Sequence, residues 1–130
     1  MEPLKKIDLK IDLKINLSDL ITIAGNDHIC KQPMKRSFEV EREYLKFRKN
    51  GKFNLILKNS YLIQLNDFPY NVKDDIIHYT MWLDNFEYSN FEIQQIINFE
   101  FKGYQNVVWF INSENLRSVN NIYHVHIFVK

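Results

Sequence analysis

The first part of the chain alternates apolar and charged residues. In KIDLKIDLKINL (6–17), Ile or Leu occupies every second position, with Lys, Asp or Asn between them. A period of two places the apolar residues on one face of a strand and fits no helix. The pattern predicts a strand extension over residues 1–16, followed by one domain over residues 17–130. We expect this strand to join an edge of the domain's own sheet; the alternative is a homodimer through residues 6–17.

Helical patterns occur in three places after this strand. Ser18 predicts the N-cap of a short helix that Gly25 ends in a left-handed conformation. Pro33 suits the first turn of a second helix that runs to Lys49, and FEIQQIINFEFKG (91–103) predicts a third. The residues expected on the apolar stripes of the last two helices are Met34, Phe38, Leu45, Ile93, Ile96 and Ile97.

Most of the remaining apolar segments have the length and composition of strands. Alternation of Phe53, Leu55 and Leu57 indicates one strand. The segments that predict the other strands are YLIQL (61–65), IIHYTMWL (76–83), NVVWFI (106–111) and YHVHIFVK (123–130). This order predicts a single α+β domain with a mainly antiparallel or mixed sheet and two to three helices packed against one of its faces.

Composition limits the class of protein and its compartment. The 130 residues suit one domain, and a net charge of +1 does not favour a nucleic-acid or membrane-surface partner. One cysteine excludes an internal disulfide, and no window resembles a signal peptide or a membrane span, so we expect a cytoplasmic protein. Abundant Asn, Ile and Lys indicate an AT-rich genome, as in a protist or a large DNA virus.

Three histidines are the strongest candidates for chemistry. His124 and His126 are two residues apart on a strand, so both side chains emerge on the same face, and His78 shares a strand face with Trp82. Two imidazoles on one face can bind a transition metal, hold a phosphate or pass a proton. The alternative is that these histidines are structural, with hydrogen bonds that satisfy them within the sheet. Only two of them have a suitable spacing for metal ligands, so we predict no metal site, and the cofactor stays unknown.

Other polar candidates lie at strand ends and in loops. Asn112 directly follows an apolar strand, and Arg117 and Ser118 lie in the loop after it. NDFPY (66–70) places Asp67 before a proline, where an Asx-type turn is the structural alternative.

Two segments resemble a known family. They are SYLIQLNDFPYNVKDDIIHYTMWL (60–83) and VVWFINSENLRSVNNIYHVHIF (107–128). They are similar to the Asn-Asp-aromatic-Pro-Tyr, His and Trp pattern and to the closing His-x-His run of the fungal N-acetylglucosamine-induced proteins, a domain of unknown function. The resemblance covers about residues 17–130 and implies no reaction. It implies that the polar residues matching these motifs act together as a site.

We therefore expect a polar pocket that binds a small anionic, sugar-like or nucleotide-like ligand, with hydrolysis of a phosphate ester as one outcome. His78, His124 and His126 would donate or carry protons, and Asp67 would fix a histidine tautomer. This requires His78 to lie within roughly 10 Å of the His124 and His126 face. The predicted ligand-binding residues are Tyr70, Trp82, Asn112, Arg117 and Ser118.

The alternative is a module without enzymatic activity. It would stack a base or modified nucleotide on aromatic rings, or act as a scaffolding protein. The residues themselves leave open whether the protein is an enzyme. The candidate stacking rings are Tyr70, Tyr79, Trp82, Trp109, Phe110 and Phe128.

Overall fold

The described residues form five strands and three helices, which position the candidate residues. The computed structural model describes residues 13–50, 61–84, 87–114 and 123–130. The helices in these ranges are α1 (Leu17–Ala24), α2 (Phe38–Asn50) and α3 (Asn90–Glu100). The strands are β1 (Ile29–Cys30), β2 (Tyr61–Leu65), β3 (Ile77–Leu83), β4 (Val107–Asn112) and β5 (Tyr123–Val129).

The strands form one mixed sheet in the order β1-β4-β5-β3-β2. Strand β1 runs parallel to β4, and the other three pairings are antiparallel. Strand β5 is therefore central, with β3 on one side and β4 on the other. This register places Thr80 and Phe110 on either side of His126.

Each face of the sheet carries its own apolar core. On one face, Ile93 and Ile97 of α3 are buried against alternate residues of β3, β4 and β5, such as Met81 and Ile127. On the other face, the core is formed with α1 and the loop before β3. The buried residues of this second core are Leu20, Ala24, Cys30, Tyr70, Ile76, Val108, Phe110 and Phe128.

The predicted fold class is confirmed, and the side on which the helices pack is corrected. The chain forms a single α+β domain with a mixed sheet, as expected. The helices were expected on one face, but α1 and α3 lie on opposite faces. Alternate residues of β3, β4 and β5 are buried on both sides, so each face requires its own cover.

The first helix begins earlier than Ser18 predicts. Asn16 is the N-cap: its side chain accepts from the Asp19 N–H, and the Asp19 carboxylate accepts from the Asn16 N–H. This reciprocal capping box satisfies two amides at the helix start, and it places Leu17 in the helix rather than in the predicted strand. The predicted stop is confirmed, because Gly25 has a φ of 59° that favours glycine.

The second helix begins at Phe38 rather than at Pro33. The Lys35 carbonyl accepts from the Asn71 N–H, so residues before the helix pack along the loop that precedes β3 instead of forming a helical turn. Ser37 then accepts from the Val40 N–H and caps the helix. The predicted stripe is wrong at Phe38 and Leu45, which are 66% and 55% exposed.

The predicted N-terminal extension is described only at its end. Residues 6–12 lie outside the described ranges, as does the alternating segment of Phe53, Leu55 and Leu57. Within the described part, Ile15 forms an isolated parallel bridge with Val72 on the loop before β3.

The length and apolar character of the described helices show whether any of them could cross a membrane. Among residues 13–50, 61–84, 87–114 and 123–130, no helix has both the length and the apolar character that crossing a bilayer requires.

Candidate functional site

The candidate site is a set of polar side chains on the sheet face that carries His78, His124 and His126, here called the histidine face. Strand alternation places His78, Thr80 and Trp82 of β3 on this face beside the two histidines of β5. All five side chains are buried. They therefore need partners within the protein, because an unpartnered buried polar group is costly.

Two of the histidines form a direct hydrogen-bonded pair. His78 Nε2 lies 2.9 Å from His126 Nδ1, which confirms the predicted closeness of His78 to the β5 histidines. The His124 ring is 5.2 Å from the His126 ring and 5.0 Å from the Trp82 ring. The structure thus brings His78, Trp82, His124 and His126 together on one face.

A backbone amide fixes the tautomer of this pair. The Tyr70 N–H donates to His78 Nδ1 at 3.2 Å, and an amide N–H cannot accept. His78 Nδ1 must therefore be unprotonated, and its Nε2–H donates to His126 Nδ1. His126 in turn carries its proton on Nε2, which lies 3.3 Å from Tyr70 Oη.

The chain of hydrogen bonds begins and ends on the same residue. Tyr70 supplies the N–H at one end, and its hydroxyl oxygen accepts at the other end from His126 and from Asn112 Nδ2 at 3.0 Å. We call Tyr70, His78, Asn112 and His126 the histidine network. Every ring nitrogen of its two histidines is engaged by a hydrogen bond.

Burial keeps both histidines of the network neutral. Removal from water, followed by the charges of Arg36 and His124, lowers the pKa of His78 from 6.5 to about 3. Burial, followed by the neighbouring histidines and Arg36, holds the pKa of His126 well below its ordinary value. Burial also raises the pKa of Tyr70, so its hydroxyl stays protonated at neutral pH. The network is uncharged at physiological pH.

The loop between β2 and β3 holds Tyr70 in place through an Asx turn. Asn66 Oδ1 accepts from the Phe68 N–H at 2.8 Å, and Asn66 Nδ2 donates to Thr80 Oγ1 at 2.7 Å. Arg36 Nε donates to the Phe68 carbonyl at 2.8 Å, and its guanidinium lies over the Tyr70 ring at 5.3 Å. The loop is thereby fixed to β3 and to the segment before α2.

Asp67 does not have the predicted role. Its side chain is exposed, and the group that fixes the histidine tautomer is the Tyr70 amide instead. The neighbouring Asn66 points inward and forms the turn, so Asp67 is directed to solvent. The predicted residues Arg117 and Ser118 lie outside the described ranges.

Asn66 and Arg36 help to hold the loop at the candidate site, a role that the sequence alone does not predict. The sequence of NDFPY does indicate the turn that Asn66 forms, but not its bond to Thr80. Arg36 carries no pattern that distinguishes it from other basic residues of its segment. Their contacts with Phe68, Tyr70 and Thr80 depend on tertiary structure.

An open groove of about 520 Å³ reaches the network from the surface. Tyr70 and His78 lie at its inner end, and Lys14 and Lys73 lie on its rim near the Asp74 carboxylate. We call it the loop groove. Its lining residues are Lys14, Ser37, Val40, Leu65, Asn66, Pro69, Tyr70, Asn71, Val72, Lys73, Asp74, Ile76, Ile77 and His78.

Most of the candidate stacking rings belong to the core. Tyr70, Trp82, Trp109, Phe110 and Phe128 are all less than a tenth exposed. A base therefore has no open face on which to stack at these rings. Tyr79, on the opposite sheet face, is the sixth candidate and is only partly buried.

The described side chains do not form a metal site. Within residues 13–50, 61–84, 87–114 and 123–130, no three His, Cys, Asp or Glu side chains lie close enough together to hold an ion. The four ring nitrogens of His78 and His126 are already engaged within the network.

Comparisons with known proteins give a family but no activity. Residues 23–130 match the model of DUF3605, a family described as protein of unknown function, so the chain belongs to this family. Among solved structures, the chain is similar to the crystal structure of HTC1, with 16% sequence identity, a TM-score of 0.49, and coverage of 98% of this chain and 83% of that chain. No curated protein matches the chain.

Proposed function

We propose that this member of the DUF3605 family binds a small polar ligand with one anionic group, such as a sugar phosphate or a nucleotide, in the loop groove. One observation carries the proposal: the buried histidine network reaches the inner end of this groove through Tyr70 and His78. Because all four ring nitrogens of His78 and His126 are hydrogen-bonded, this base is rigid, and rigid sites lose less conformational entropy when they bind.

The size and lining of the loop groove support a small organic ligand. Its volume of about 520 Å³ falls within the range of roughly 300–1,000 Å³ that is common for such sites. Apolar side chains such as Val40 and Ile76 alternate with the polar groups of Ser37, Asn66 and Asn71. This combination suits a ligand with both a carbon skeleton and hydroxyl or amide groups.

The charges on the rim favour an anion. Lys14 and Lys73 contribute two positive charges and Asp74 one negative charge, and His78 is neutral, so the lining carries a net charge of +1. Lys14 Nζ is 2.5 Å from Asp74 Oδ1, and both side chains are well exposed. A phosphate at the rim would therefore meet ammonium groups that remain accessible to it.

The same geometry favours binding over histidine-dependent hydrolysis. A general base works best when its pKa is close to the operating pH, and the pKa of His78 is about 3. The ring nitrogens of His78 and His126 also have no free lone pair that faces the groove, because the network engages them. In this proposal the histidines organise the base of the site and transfer no proton.

A thermal-shift panel tests the proposal. It compares sugar phosphates and nucleoside monophosphates with the corresponding sugars and nucleosides. A ligand present at 100 times its Kd stabilises the folded state by about 2.7 kcal/mol. We expect one phosphorylated class to raise the melting temperature, and its uncharged counterpart to do so much less.

Matched variants locate the binding site. Lys73→Gln removes a rim charge and should weaken binding, whereas Lys46→Gln, on the exposed side of α2 beside Glu43, should not. Equal effects of the two variants, or no stabilisation by any member of the panel, would contradict the proposal. A phosphatase activity that His126→Gln abolishes would contradict the assigned role of the histidines.

The two motif segments also support a finer relationship. We propose that the fungal N-acetylglucosamine-induced proteins are relatives, on the pattern of residues 60–83 and 107–128. His78, Asn112 and His126 of the network lie in these segments, so a relative should carry the same network. A structure of such a protein in which the matching histidines are not paired would contradict this.

A further inference from the structure

A second groove lies on the sheet face covered by α3, opposite the histidine face. It has a volume of about 630 Å³ and runs along β2 toward the end of α3. We call it the tyrosine groove. Its lining residues are Tyr61, Leu62, Ile63, Tyr79, Glu100, Phe101 and Tyr104.

Aromatic rings line much of this groove. The Phe101 ring lies 5.2 Å from the Tyr79 ring in an edge-to-face arrangement and 6.0 Å from the Tyr104 ring. The hydroxyl oxygens of Tyr79 and Tyr104 approach to 3.5 Å. Phe101 is buried and anchors the aromatic cluster in the core. Tyr104 is 38% exposed, so its ring is open to solvent.

A carboxylate also lines this groove. Tyr61 Oη donates to Glu100 Oε2 at 2.5 Å, and this bond raises the pKa of the Tyr61 phenol because its ionisation would place two negative charges side by side. Glu100 is exposed and keeps further lone pairs for a ligand. The lining contains no Lys, Arg or His, so the groove carries a net negative charge.

The end of α3 adds to this negative potential. Glu100 is the last residue of the helix, and the last turn contains no basic residue. The carbonyl groups at a helix C-terminus carry a partial negative charge, which here is not compensated within the helix. The following basic residue, Lys102, lies with its Nζ 5.2 Å from the Phe99 ring and does not line the groove.

We infer that the tyrosine groove binds an organic cation, namely an ammonium group with methyl substituents. Aromatic faces attract such a cation through the ring quadrupole, and its methyl groups suit an apolar wall that a hydrated inorganic ion would avoid. Glu100 and the C-terminus of α3 supply the complementary charge. This site is independent of the loop groove, because it lies on the other sheet face.

Choline and its uncharged carbon analogue, in which a tert-butyl group replaces the trimethylammonium group, test this inference. The two have nearly the same shape and differ in charge. In NMR titrations of the full chain at neutral pH, choline should cause saturable shifts at Tyr79, Phe101 and Tyr104, and the analogue should bind at least about tenfold more weakly. No saturable shift with choline, or equal binding of the analogue, would overturn the inference.

Substitutions test separately what the Tyr104 ring and the Glu100 carboxylate contribute to choline binding. Glu100→Gln should weaken choline binding about tenfold, whereas Glu39→Gln, an exposed carboxylate on α2, should leave it unchanged. Tyr104→Leu should abolish binding, and Tyr104→Phe, which keeps the ring, should retain it. Each variant is first checked by its unfolding midpoint, and Tyr104 is exposed enough for both substitutions to preserve the fold. Binding that survives both Glu100→Gln and Tyr104→Leu would overturn the inference.

Trimethyllysine with blocked α-amino and α-carboxyl groups distinguishes two possible sources of a trimethylammonium group. Tighter binding than choline would indicate a methylated lysine side chain of a protein, and weaker binding a free choline-type compound. Either order of the two affinities supports the inference, whereas failure of choline to bind contradicts it.

Discussion

Tyr70 joins the main chain of one loop to the buried side chains of the sheet. Its N–H and its hydroxyl oxygen are the two ends of the path through His78 and His126. Because an amide N–H can only donate, every proton along that path has a defined position. The network is therefore a neutral structure with one arrangement of hydrogen atoms, rather than a pair of histidines that titrate near neutrality.

At the residue scale, the two network histidines should make the stability of the protein depend on pH. The unfolded chain binds protons on histidine below about pH 6.5, whereas His78 and His126 have depressed pKa values when folded. The unfolded state therefore binds more protons in acid, so stability falls as the pH decreases from about 6.5 toward the folded pKa, which is about 3 for His78. Each histidine contributes a slope of at most about 1.4 kcal/mol per pH unit.

Urea unfolding at a series of pH values measures this slope. His78→Gln should reduce it by removing one of the two network histidines. The control His28→Asn leaves both network histidines in place and should retain it. A free energy of unfolding that does not change between about pH 7 and pH 5 would show that the histidines are not buried in neutral form.

Tyr70→Phe isolates the hydroxyl of the network. It keeps the ring and the backbone N–H but leaves donors on His126 and Asn112 buried without their acceptor. We expect a loss of about 1–3 kcal/mol in the free energy of unfolding. Tyr44→Phe, on the partly exposed side of α2, should change it by less than about 0.5 kcal/mol. Similar small losses for both variants would mean that the Tyr70 hydroxyl does not close the network.

At the scale of elements, the start of α1 gives a direct test of capping. Asn16 accepts from the Asp19 N–H and forms the capping box, so Asn16→Ala should cost about 1 kcal/mol in the free energy of unfolding. Ser18, the cap that the sequence suggests, lies inside the helix, and Ser18→Ala should have little effect. Chemical denaturation of the two variants decides between them, and a larger loss for Ser18→Ala would contradict the assigned start.

Strands were more predictable than helix starts, and the reason is physical. A strand such as β3 repeats its pattern over several residues, so an error at one position does not hide it. A helix start depends on one residue, and Asn16 and Ser18 are both good caps. Pro33 suits a first helical turn, but Lys35 bonds to the loop at Asn71, a tertiary contact that local pattern does not contain.

Part of the site follows from the sequence and part needs the whole fold. Alternation alone places His124 and His126 on one face, and the adjacency of β3 and β5 adds His78. The role of Tyr70 depends on the loop folding back over that face, which no local pattern specifies. The choice between Asn66 and Asp67 for the inward position likewise depends on the bond to Thr80.

At the scale of the whole molecule, the two cores share one sheet and should unfold together. Trp109 belongs to the core under α3, and Trp82 lies on the histidine face, so each tryptophan reports on one side. Trp82→Phe and Trp109→Phe each leave one tryptophan. In each variant, the fluorescence of that tryptophan and the far-ultraviolet circular dichroism should change at the same urea concentration. Separate transitions in either variant would show that the two faces unfold independently.

The most direct test of the neutral network is a two-bond proton–nitrogen NMR spectrum of the histidine side chains across a pH series. This spectrum distinguishes the two neutral tautomers from the charged form. His78 and His126 should both show the Nε2–H tautomer, with no titration from about pH 8 to about pH 5. The Nδ1–H tautomer in either ring, or titration of either ring near pH 6.5, would contradict the account.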